Sequence, residues 1–166
     1  MKSVLILGNG ESRKNSIDYI TNWQNEIWVC NEAYIEPWSQ KTRVGTVHKF
    51  IADLATEHKK TTNEKFEIYT NTCPALYKNT FAYQYGWSTG NLSILQALYE
   101  RYEKICLCGF DFGGKDIYQP QPLYGGNFKD QFKTIYKTHD TNSIIFIIDN
   151  EEIHISKYKE KLEWLK

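Results

Sequence analysis

The sequence predicts an α/β fold: a mostly parallel sheet flanked by helices, with a ligand site where the first strand runs into a glycine turn. Three observations support this. Val4-Leu5-Ile6-Leu7, Ile105-Cys106-Leu107-Cys108 and Ile144 to Ile148 are short unbroken apolar runs, the pattern of strands buried on both faces. They alternate with segments of helical periodicity, and strands linked by right-handed helical crossovers lie parallel. Gly8-Asn9-Gly10 follows the first run without a spacer.

The elements follow in order. After the glycine turn, Ser12 is positioned to cap a helix reaching about Trp23, with Ile17 and Ile20 on its inner face. Ile27-Trp28-Val29-Cys30 reads as the second strand, Val44 to Val47 as the third and Phe66 to Tyr69 as the fourth. Gly90 opens a helix to about Tyr102 that turns Leu92, Leu95, Ala97 and Leu98 inward. Strands at 105–108 and 144–148 come next, and 151–166 is expected to end as an amphipathic helix bearing Leu162, Trp164 and Leu165. Between them, Gly109 to Gly126 forms a long loop with Asp111, Asp116, Tyr118 and Tyr124. Loops of that length after a buried strand are usually functional or disordered, and ligands of open parallel sheets sit beyond the carboxyl ends of the strands.

Composition sets the bounds. The 166 residues suit one domain, 1–166, with a core of its own. Twenty basic and twenty acidic side chains cancel, so no overall field recruits a polyanion. Aromatic residues reach 15%, including 12 Tyr and 5 Trp, and rings with polar tips suit pockets for sugars or bases. The cysteines at 30, 73, 106 and 108 lack zinc-site spacing and read as buried reduced thiols. The apolar run after Met1-Lys2-Ser3 is too short for a signal peptide, and nothing approaches the ~20 apolar residues of a membrane span. A cytoplasmic location is therefore expected, while no oligomeric state is legible.

Four places carry candidate chemistry. Glycines in a strand-to-helix turn let the backbone approach a ligand, and the helix start offers N–H groups to an anion. Position 13 is Arg, so the third glycine of a dinucleotide fingerprint is missing, and no Gly-Lys-Ser/Thr completes a phosphate loop. Asn31 ends the second strand with a donor and an acceptor suited to a base or ribose edge, or else simply forms a turn. Asp111, in Gly109-Phe110-Asp111-Phe112, can bind a hydroxyl or cap a neighbouring turn. Ser88-Thr89-Gly90 supplies an N-cap and a second helix start that favours anions.

Taken in order, these features resemble the small bacterial sialyltransferases that modify lipooligosaccharide. That family opens with a strand and Gly-Asn-Gly-Pro-Ser; here stands Gly8-Asn9-Gly10-Glu11-Ser12. Its Cys-Asn-Gln with a following Tyr is matched by Cys30-Asn31-Glu32 and Tyr34, and its Thr-Ser-Gly by Ser88-Thr89-Gly90. Its Gly-Ile-Asp-Phe is matched by Gly109-Phe110-Asp111-Phe112. The resemblance spans roughly Lys2 to Tyr118. It implies a glycosyltransferase A-like fold and metal-independent transfer from a nucleotide sugar, a cytidine-monophosphate sugar being favoured. Gly8, Asn9, Gly10, Ser12, Asn31, Ser88, Thr89 and Gly90 would hold the donor, joined by Tyr124. Tyr118 would steady the leaving phosphate.

The departures are equally specific. Glu11 replaces the family's proline and places an acid near the expected phosphate. The family's histidine base has no counterpart, since Tyr124 or Gly125 falls near its position. His48, at the end of the third strand, is the substitute base, with His139 behind it, and Asp111 is the second catalytic candidate. The acceptor is an unidentified hydroxyl; a modified DNA base of a phage would suit so small an enzyme, though the charge does not indicate it. The alternatives are a nucleotide-binding module without catalysis, and pyrophosphoryl transfer to a pterin, which should need magnesium.

Overall fold

The computed structural model describes residues 1–71, 77, 79–83, 85–119 and 127–166. Cys73 and Tyr124, both singled out by the sequence, lie outside them. One eight-stranded sheet organises the chain. Its strands are β1 (Ser3–Leu7), β2 (Glu26–Cys30), β3 (Lys41–Gly45), β4 (Glu67–Thr70), β5 (Asn79–Thr80), β6 (Lys104–Cys108), β7 (Ile144–Ile148) and β8 (Glu151–His154). The order across the sheet is β5-β4-β3-β2-β1-β6-β7-β8. Every pairing is parallel except that of β7 with β8.

The chain winds outward from β1 through β2 to β5, then returns to lay β6 on the other side of β1. Helices α1 (Ile17–Asn22), α2 (Lys49–Thr62), α3 (Thr89–Tyr99), α4 (Asn127–Thr138) and α5 (Ile155–Tyr158) cover both faces. Alternate residues of β1 divide between two cores. Val4 and Ile6 pack with Leu92, Leu95, Phe132, Ile135 and Ile155 under α3, α4 and α5. Leu5 and Leu7 pack with Ile20, Ala55, Cys106 and Cys108 under α1 and α2. All five β1 residues are buried, as a run without polar alternation requires.

The structure corrects several expected elements. Residues 11–16 form 3-10 turns, and α-helix begins only at Ile17. Gly10 takes the cap position, and no side chain caps it, so Ser12 is not the N-cap. The tighter 3-10 winding changes the helical phase, burying Arg13 and Ser16 and leaving Ile17 50% exposed. The third strand starts earlier and ends at Gly45, since the buried Lys41 joins it by donating to the Tyr34 and Glu36 carbonyls. Helices α2 and α4 were not anticipated, because their mean composition is polar and each buries only a narrow stripe: Ile51, Ala52 and Ala55 in α2, Phe132 and Ile135 in α4.

The C-terminal expectation fails at a turn. Asp149 and Asn150, at φ 49° and 67°, join Ile148 to its cross-strand partner Glu151. Two consecutive residues at positive φ make the tight hairpin turn that Asn and Asp favour. Residues 151–154 therefore form β8, and only short helical turns follow. Leu162 and Leu165 are buried nonetheless, and Trp164 packs against the same core.

Candidate functional site

A cleft of about 740 Å³ lies at the carboxyl ends of the central strands. Its floor is the point where β1 has neighbours reached by opposite windings, β2 and β6, which is where such sheets open a crevice. Three strand ends contribute: Gly8-Asn9-Gly10 after β1, Cys30-Asn31-Glu32 after β2, and Gly109 to Asp116 after β6. Val47, His48, residues 88–91 at the start of α3, and Gln131 of α4 complete the walls, with Tyr85 and Trp87 in ring contact at 4.8 Å.

Gly8 and Gly10 line the cleft and also let two strand ends pack against each other. The Gly8 N–H donates to the Cys108 carbonyl at 2.8 Å and the Gly10 N–H to the Gly109 carbonyl at 2.9 Å. The β6 loop then folds back over the turn, with the Ile117 N–H donating to the Asn9 carbonyl at 2.8 Å. A Cβ on Gly8 would lie 2.6 Å from the Gly109 oxygen, and one on Gly10 would lie 2.4 Å from Asp111 Oδ2. Gly109 itself sits at φ +80°, where a side chain is strained. Close packing of two strand ends requires these glycines before any ligand does.

Asn9 and Asn31 both line the cleft but are held differently. Arg13 Nη2 donates to Asn9 Oδ1 at 3.2 Å, while Asn9 Nδ2 donates to the Cys30 carbonyl at 2.9 Å. One end of the Asn9 amide thus braces β1 against β2, and the other is held by Arg13 from the turn that follows β1. Asn31 sits at φ 51°, a left-handed conformation that Asn tolerates. Its Oδ1 receives the Thr46 hydroxyl at 2.9 Å and the Thr89 hydroxyl at 3.1 Å. Its Nδ2 has no hydrogen-bond partner among the described residues.

Behind Asn9 lies a buried network absent from the sequence reading. Arg13 pairs with Glu36 through two hydrogen bonds of 2.5 and 2.8 Å, and Trp38 Nε1 donates to the same carboxylate at 2.8 Å. The Tyr118 hydroxyl also donates to Glu36. Burial acts to raise the Glu36 pKa, but the hydrogen bonds and charge of Arg13, with Tyr118, outweigh it and hold it below its ordinary value. Burial, then the bond to Glu36, pushes the Tyr118 hydroxyl upward. The residue that breaks the dinucleotide fingerprint, Arg13, is the one that fixes Asn9. No sequence signal distinguished it from a surface arginine.

The remaining candidates separate into two groups. His48, Ser88, Thr89, Gly90 and Asp111 line the cleft with the glycine turn; Ser12, Tyr118 and His139 do not. Ser88 caps α3 as expected, its Oγ accepting from the Asn91 N–H at 3.3 Å. Gly90 passes the Phe110 ring, which a Cβ would meet at 3.0 Å. Asp111 accepts from both the backbone N–H, at 3.1 Å, and the hydroxyl of Ser12. Ser12 is therefore a brace for the carboxylate. Glu32, Asp111 and Asp116 bring acid to the cleft, and burial raises the Asp116 pKa. Lys115 and the positive end of the α3 dipole oppose them. Cys30, Cys106 and Cys108 are buried free thiols.

A doubly wound sheet with its cleft at the switch point defines the class of open α/β folds that bind their ligands at that crevice. Solved structures specify it further. The sialyltransferase CstII from Campylobacter jejuni, in complex with the substrate analogue CMP-3FNeuAc, superposes at a TM-score of 0.63 and is 17% identical, covering 91% of this chain and 82% of that one. The monofunctional α-2,3-sialyltransferase Cst-I from Campylobacter jejuni gives 0.62 at 17% identity, covering 91% and 77%. CST-II with a trisaccharide acceptor and CMP gives 0.61 at 15%, covering 90% and 82%. This chain shares their fold. No family model matches the sequence, and no curated protein matches it. Among the described residues, no helix is long and apolar enough to cross a membrane.

Proposed function

We propose that the chain is a glycosyltransferase that moves a sugar from a cytidine-monophosphate-linked donor to a hydroxyl acceptor. The observation that carries this reading is Asn31, which lines a switch-point cleft with no partner for its Nδ2 among the described residues, in a fold whose neighbours hold CMP and the substrate analogue CMP-3FNeuAc. In the transfer, the acceptor oxygen bonds to the anomeric carbon, the bond from that carbon to the phosphate oxygen breaks, and CMP leaves with the electron pair. Lys115 and the start of α3 offset the charge of the leaving phosphate, preformed donors being effective there. His48 takes the acceptor proton on a ring nitrogen, the general-base role that an imidazole commonly fills. No metal takes part, so EDTA should leave turnover intact, whereas pyrophosphoryl transfer to a pterin would lose it.

Binding is the first test. CMP should raise the melting temperature more than UMP or GMP, by about 2.7 kcal/mol of stability at a hundredfold excess over Kd; equal or absent shifts would remove the reading. A neutral sugar hydroxyl is the favoured acceptor over a modified DNA base, since Lys115 is the only lysine or arginine among the described lining residues. A second reading, a nucleotide-binding module without catalysis, is favoured by one observation: both Asp111 oxygens are engaged by Ser12. Release of CMP from a CMP-sugar in the presence of a hydroxyl acceptor separates the two.

A further inference from the structure

The direction of the Asn31 amide follows from what its partners are able to donate. The His48 backbone N–H donates to the Thr46 hydroxyl at 3.1 Å, and the Val47 N–H donates to the Thr89 hydroxyl at 3.2 Å. A backbone N–H can only donate, so each threonine oxygen acts as the acceptor in that bond and has its own proton to place. Both protons go to Asn31 Oδ1, at 2.9 and 3.1 Å. Reversing the amide would put NH2 against both hydroxyls and strand two O–H protons, for which the described residues offer no other acceptor. Thr46 is 0% exposed and Thr89 is 3% exposed, so water does not readily replace that acceptor.

We propose that Thr46 and Thr89 are positioning residues that lock the Asn31 amide with its NH2 toward the cleft, making this position selective for a hydrogen-bond acceptor on the nucleotide donor. The proposal rests on the nucleotide-sugar reading for its ligand but not for its geometry. A phosphate, ribose or pyrimidine-carbonyl oxygen satisfies the exposed NH2; an amino group placed there would face another donor. The lock joins two strand ends and a helix start, since Asn31 follows β2, Thr46 follows β3 and Thr89 opens α3.

Asn31→Asp separates orientation from fold. The two side chains have the same shape, Asp also tolerates positive φ, and one carboxylate oxygen still receives both threonine protons. Only the group facing the cleft changes, from donor to acceptor. Asn31→Asp should melt within about 2 °C of wild type yet bind CMP about tenfold more weakly, or worse, by titration calorimetry. The Thr46→Val/Thr89→Val pair should also lose affinity, and the serine pair, which keeps both hydroxyls, should restore it to within about threefold. Equal CMP affinity in wild type and Asn31→Asp, or serine failing to rescue, would overturn the lock. If wild type does not bind CMP, the function reading fails and amide proton exchange decides the geometry. An Asn31 NH2 open to the cleft exchanges fast, and a protected one overturns the proposal.

Discussion

A Cβ atom on Gly8 would lie 2.6 Å from the carbonyl oxygen of Gly109. The ends of β1 and β6 therefore touch through bare backbone, and the cleft floor depends on that contact. Gly8→Val and Gly10→Val should each destabilise the ligand-free protein by about 2–3 kcal/mol or more, seen as lower melting temperatures without nucleotide. Variants that melt like wild type but bind CMP poorly would instead assign the glycines to ligand approach.

Arg13 and Glu36, with side chains 6% and 16% exposed, form a buried pair. Removing one charge leaves the other uncompensated, so Glu36→Gln should cost about 3 kcal/mol. The pH dependence has a definite sign. The Glu36 pKa is lowered on folding from an ordinary 4.5, so its contribution is complete above that value and drains as pH falls through the lower folded value. Chemical denaturation from pH 7 into acid should show a shallower loss of stability in Glu36→Gln than in wild type; parallel curves would show that the pair does not set the acid limb.

Tyr118 tests the role that the family resemblance implied for it. Its hydroxyl donates to Glu36 and not into the cleft. Tyr118→Phe should therefore lower stability by about 1–2 kcal/mol, the loss of a bond to a charged acceptor, with turnover unchanged under conditions where the protein stays folded. A fall in kcat without a fall in stability would return Tyr118 to the leaving phosphate.

His48 lines the cleft, and its backbone N–H, which any residue would supply, holds Thr46. His48→Ala should cut single-turnover transfer by at least about tenfold, at the low edge of general-base effects, while CMP affinity holds. Full activity would exclude His48 as the base. Asp111→Asn keeps an oxygen for the Ser12 N–H and can donate its NH2 to the Ser12 hydroxyl oxygen, so the loop should hold. A loss of rate without faster proteolysis after β6 would give the carboxylate charge a part in the transfer, and full activity would exclude it.

The parallel core was legible because it depends on local composition. Val4 to Leu7, Ile105 to Cys108 and Ile144 to Ile148 could be buried only on both faces, and each is a strand whose carboxyl end points where expected. Asn31, His48, Thr89 and Asp111 reach one cleft for the same reason: residues following parallel strands emerge on a single edge. What the sequence could not supply was direction and partnership at atomic range. Asp149-Asn150 became a hairpin turn only because a strand edge on β7 was free to pair. Arg13 turned inward because Glu36, 23 residues away, was there to meet it. The Asn31 amide took its orientation from Thr46 and Thr89, 15 and 58 residues distant. Periodicity records which side of an element meets the core, but a hydrogen bond is set by distances of a few tenths of an ångström between groups that only the folded chain brings together.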